Sequence, residues 1–78
     1  MYNYILLMKS KSQILLYIFE TILTKKSINM NSVVAEFNIL ERTFRRYIAD
    51  INAYFCNQYK NYSIVYQRKI NMYCLVVD

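Results

Sequence analysis

The apolar positions of this chain form helical repeats up to about residue 56 and an alternating pattern after residue 62, with short polar breaks between them. Ile14, Leu15, Ile18, Phe19, Ile22 and Leu23 recur at i, i+3, i+4 and predict a helix from about Ser12 to Lys25. Ser10 and Ser12 are its candidate N-caps. Lys25 and Lys26 suit its C-terminal dipole. Leu16 and Tyr17 carry the apolar surface around most of the first two turns, which implies one face in the core and another in a subunit interface. Ser27-Ile-Asn29 reads as a short extended link holding one small strand. A second helix is expected to start near Asn31 or Ser32, with Asn31 as its cap, and to carry Val33, Val34, Ala35 and Phe37. Asn38 then stands where a left-handed C′ residue is needed. A third helix, Glu41 to Cys56, has Phe44, Ile48, Ile51 and Phe55 on one stripe. After a polar loop, Ser63–Gln67 and Met72–Val77 read as two β-branched and aromatic strands, with Val65 and Leu75 as core members. Arg68-Lys-Ile-Asn71 joins them as a basic hairpin tip.

Composition sharpens this picture. The chain contains no glycine and no proline, so its tight turns fall to other residues. Asn38 and Asn71 sit where positive φ is expected. Residues 1–8 form an apolar, β-tolerant segment expected to be an added strand or arm ahead of a single domain over residues 9–78. The hydrophobic share of 56% exceeds the usual ~45–50%, which again points to an interface. Cys56 and Cys74 lie in apolar sequence and read as buried free thiols, with a disulfide between them as the open alternative. No apolar run approaches the ~18 residues of a membrane span. With no signal peptide evident, the expected location is cytoplasmic.

The charge pattern carries the functional signal. On the third helix, Arg42, Arg46, Ala49 and Ala53 project opposite the apolar stripe, with Thr43 and Arg45 on either flank. A short helix, a tight turn and a longer basic helix are what a helix-turn-helix offers to a DNA major groove. The formal net charge of +5 fits. Arginine can grip guanine bidentately and also bridge phosphates. The nine tyrosines are scattered and read as half-buried packing, with Tyr47 and Tyr66 expected beside the contact surfaces. Enzyme chemistry finds no support. Histidine is absent, Glu20, Glu36, Glu41, Asp50 and Asp78 are dispersed, and neither a phosphate loop nor a metal-ligand motif occurs. No cofactor or small-molecule ligand is expected.

Ala35-Glu-Phe-Asn-Ile-Leu-Glu-Arg-Thr-Phe-Arg-Arg-Tyr-Ile-Ala-Asp-Ile-Asn52 resembles the winged helix-turn-helix of bacterial regulators of the DeoR, Mga and BglG type. Their pattern is Leu-Ala-x-x-Phe-Gly-Val-Ser-x-Arg-Thr-Ile-Arg-Arg-Asp-Ile followed by Leu-Asn-x-Leu. The resemblance implies an α+β fold, three helices plus a C-terminal hairpin wing. It implies a sequence-specific, double-stranded DNA-binding transcriptional regulator, usually a dimer, and the apolar surface of the helix over residues 12–25 and of the N-terminal segment makes these the expected homodimer contact. Arg42, Thr43 and Arg46 match groove-facing positions of the family and Arg45 a flanking one. Asn31, Ser32, Tyr47, Arg68 and Lys69 complete the expected contact set. The chain departs from the pattern at Leu40, where the family has its cap serine, at Tyr47, where it has an acid, and at the wing glycine, which is missing. The competing expectation is the same fold used as a protein-interaction module, such as a phage or mobile-element inhibitor of a partner protein.

Overall fold

A computed structural model describes residues 10–78. The strand or arm expected over residues 1–8 lies outside the described residues. The elements follow in the order α1 (Lys11–Lys25), β1 (Ser27–Ile28), α2 (Met30–Phe37), α3 (Glu41–Gln58), β2 (Tyr62–Gln67) and β3 (Met72–Val77). The result is an α+β arrangement of three helices and one antiparallel sheet with strand order β1-β3-β2.

Local chemistry fixes each boundary. Ser10, not Ser12, caps α1: its Oγ accepts from the Gln13 amide at 3.2 Å and the Gln13 Oε1 accepts from the Ser10 amide at 3.1 Å. This reciprocal capping box satisfies two amides that the helix start would otherwise leave open. α1 ends at Lys26, which takes the left-handed conformation at φ 69°. There the chain would ordinarily use glycine. Lys26 instead donates its amide to the Ile22 carbonyl and its Nζ to the Leu23 carbonyl. Its own carbonyl accepts from Leu75 at 2.8 Å, which leads the chain straight into β1 beside β3.

The cap of α2 is Asn29 and not the expected Asn31. The Asn29 Oδ1 accepts from the Ser32 amide at 2.9 Å and from the Ser32 Oγ at 3.2 Å. Asn31 therefore lies one residue inside the helix, because Asn29 sits the three residues ahead of a free amide that a cap requires. Asn38 closes α2 at φ 54°, ψ 52°, as the sequence predicts. α3 begins at Glu41 behind Leu40, an N-cap residue that makes no side-chain cap hydrogen bond, and runs beyond Cys56 to Gln58.

The core lies where α1, α3 and the sheet meet. Ile18, Ile22, Phe44 and Phe55 are its fully buried large side chains. The expected α3 stripe is buried along its whole length, and Tyr47 joins it at 5% exposure. Strand register corrects one expected core member. Ile64 lies opposite Leu75 and Val65 opposite Cys74, so Val65 cannot share a face with Leu75. Ile64 enters the core and Leu75 packs against it, while Val65 is 42% exposed. Cys56 is also exposed, since it follows the buried Phe55 on the helix and turns outward. Cys74 is half-buried, and both thiols are free. Among the described residues, no helix is long and apolar enough to cross a membrane.

Candidate nucleic-acid interface

α3 separates its chemistry by face. Phe44 and Ile48 hold it to the core, while Arg42, Arg45 and Arg46 are all exposed in its first two turns. Thr43 flanks them, half-buried. Ala49 and Ala53 continue the exposed line and leave it thin. Arg45 leans along the helix toward Glu41, Nη1 to Oε1 at 3.7 Å, and also reaches the Met30 Sδ at 3.9 Å. It therefore bridges the start of α3 to the start of α2. A pair this exposed contributes little to stability. It is the one ion pair within 4.0 Å among the described residues, so Arg46 and Asp50, although also spaced i, i+4, do not pair.

The hairpin tip is built from two overlapping turns: Ile70 donates to the Gln67 carbonyl and Asn71 to that of Arg68, both at 3.3 Å. Asn71 takes φ 54°, the left-handed position that the absent glycine would fill. Its side chain has a further role, because its Oδ1 accepts from the Tyr66 hydroxyl at 2.7 Å. Arg68 and Lys69 are exposed at this tip.

A chain of contacts fixes the hairpin relative to the helices. The Phe44 ring meets Tyr73 edge-on at 5.2 Å, and Tyr73 lies 5.0 Å from Tyr66 across the sheet. Tyr66 holds Asn71, and Asn71 offers its carbonyl to the Asn29 Nδ2 at 3.2 Å. Asn29 in turn caps α2. Arg42 and Arg46 on one side, and Arg68 and Lys69 on the other, are thus carried by elements braced against each other.

The structure exposes seven of the expected contact residues, leaves Thr43 half-buried and buries Tyr47. Arg42, Arg45, Arg46, Asn31, Ser32, Arg68 and Lys69 are exposed. Tyr47 is not beside a contact surface: its side chain is buried, because it sits next to Ile48 on the inward side of α3. Asn29, Asn52 and the side chain of Asn71 carry structural roles that the sequence alone did not single out. The signal for Asn29 was its spacing to Ser32, and nothing in the sequence distinguished it from Asn31. Two apolar side chains also stand in this region, Leu40 before α3 at 60% exposure and Ile70 at the tip at 61%.

The chain matches no protein-family model, no curated protein and no solved structure. Among the described residues, no cluster of His, Cys, Asp and Glu could hold a metal ion.

Proposed function

We propose that this protein is a winged helix-turn-helix regulator that binds double-stranded DNA in a sequence-specific way, with α3 as recognition helix and the β2–β3 hairpin as wing. One observation carries the reading: three arginines stand exposed at the start of α3, on the faces its buried stripe leaves free. A helix presented like this can enter a major groove, where Arg42 and Arg46 can donate to guanine O6 and N7. Thr43 and Arg45 would flank that contact, and Asn31 and Ser32 would meet phosphates from the exposed start of α2. Arg68 and Lys69 on the wing would hold the sugar-phosphate backbone, which positions a protein without reading sequence. The proposal includes a cytoplasmic location and no catalytic role.

The reading includes a homodimer. Leu15, Leu16, Phe19 and Tyr54 line an open apolar groove of about 320 Å³ between α1 and α3, and Leu16 is 62% exposed. That supports contact through α1. A two-fold pair would read half-sites about 34–36 Å apart, or a multiple of that spacing. Selection of DNA from a random pool by the purified full chain tests the function. A recurring sequence supports it, and a pool unchanged after selection opposes it.

A second reading has its own observation. Leu40 and Ile70 place exposed apolar side chains among the basic ones, a mixture that suits a protein partner better than a phosphate surface. Under that reading the same fold is an interaction module.

A further inference from the structure

The hairpin carries an edge that sequence alone leaves undefended. Among the described residues, in the order β1-β3-β2, β2 has no neighbouring strand on its outer side. Its sequence, Tyr62-Ser-Ile-Val-Tyr-Gln67, is uncharged, rich in β-formers and free of glycine and proline. Segments of this type pair readily with copies of themselves. Natural edges are usually protected by lysine, proline, a bulge or an inward charge, and β2 has no lysine, proline or other charged residue.

Its backbone nevertheless has partners. Ile64 lies opposite Leu75, and its amide and carbonyl point away from β3, as in a non-hydrogen-bonded pair. The Ile64 amide donates to the Asn52 Oδ1 at 2.7 Å, and the Asn52 Nδ2 donates to the Ile64 carbonyl at 3.1 Å. A carboxamide presents the same donor and acceptor as a peptide group. Asn52 therefore occupies the place of one residue of a further strand. At the start of β2, the Tyr62 amide is taken by the Tyr59 carbonyl at 2.8 Å. By the same alternation, the amide and carbonyl of Tyr66 face outward at the exposed end.

We infer that Asn52 closes the β2 edge against strand addition, and that the occupant it keeps out is the β2 strand of a second copy of this chain. This rests on the sheet geometry and is independent of any role on DNA. The amide satisfies Ile64 at the middle of the strand, where an incoming copy would have to pair. Val65, opposite Cys74 and 42% exposed, would lie on the outer face of such a joined sheet.

Amide hydrogen exchange on the unmodified full chain gives the first test. The amides of Ile64 and Tyr66 both point away from β3, and the inference expects that of Ile64 to exchange at least ~10-fold more slowly, the opening free energy being larger where a partner must be broken. Equal rates overturn it. The second test follows self-association below the melting temperature by sedimentation and infrared spectroscopy. Asn52→Ala should associate with a new intermolecular β-sheet band, while Asn52→Ala combined with Val65→Lys should not. A core variant, Ile48→Val, controls for lost stability and should remain as the unmodified chain. Folded Asn52→Ala that gains no association, or Ile48→Val that associates equally fast, contradicts the inference. If Asn52→Ala does not fold, the exchange comparison decides alone.

Discussion

Asn29 and Asn71 are 42 positions apart in the chain and joined by one hydrogen bond, Asn29 Nδ2 to the Asn71 carbonyl at 3.2 Å. The same Asn29 side chain caps α2 through its oxygen. One carboxamide thus ties the start of a helix to the turn of the hairpin. Asn29→Ala removes both roles, and the cap alone is worth about 0.5–2 kcal/mol. Asn29→Ser keeps a capping oxygen and loses the amide donor. Thermal melts should rank the unmodified chain above Asn29→Ser and Asn29→Ser above Asn29→Ala. Equal melting points for the unmodified chain and Asn29→Ser would mean that the tie to Asn71 contributes nothing, and equal melting points for the two variants would mean the same of the cap.

Much of this arrangement was legible in the sequence, for identifiable reasons. Phe44, Ile48, Ile51 and Phe55 share a face at any plausible helix boundary, so their burial followed from period alone. Asn38 and Asn71 were readable because a chain without glycine has few residues that tolerate positive φ. Lys26 was not, since its left-handed turn leads into the sheet through the Leu75 amide, which donates to the Lys26 carbonyl, a contact between distant residues. Val65 was misplaced because alternation gives two faces without saying which one is inward. The register with β3 decides it. Tyr47 was misplaced because its neighbours are arginines, although its angle on the helix lies closer to Ile51 than to Arg46. In the candidate interface, exposure of the arginines was legible and the bracing through Asn29, Tyr66 and Asn71 was not.

Leu40 offers a separate test of local physics. It stands at the N-cap of α3 with φ −79° and ψ 153°, an extended geometry in which serine would accept from the first-turn amides, and it is 60% exposed. Leu40→Ser should therefore stabilise by about 1 kcal/mol. For a domain of 60–100 residues that raises the melting temperature by about 4–8 °C. DNA affinity should be retained. A variant that melts higher but loses a protein partner would favour the interaction-module reading instead.

Leu16 tests the assembly. A lysine there places a charge at the rim of the apolar groove, where an isologous contact would bring two of them together. Sedimentation at micromolar concentration should give a dimer for the unmodified full chain and a monomer for Leu16→Lys, with the helical circular dichroism unchanged. A monomer before any substitution refutes the proposed assembly.

Arg42 and Arg46 are the proposed base-reading residues. Neither contributes to the buried stripe, so replacing both by alanine should leave the fold and its circular dichroism intact. If each reads a base, each loss costs about 1–3 kcal/mol of specific binding. The most direct measurement is the affinity of the unmodified and the Arg42→Ala/Arg46→Ala chains for the sequence that the unmodified chain selects, at one fixed salt concentration. The expected result is a loss of at least about 30-fold for the folded double variant, the equivalent of two losses of about 1 kcal/mol each. Equal affinity of the two folded chains, or the absence of any selected sequence, would contradict it.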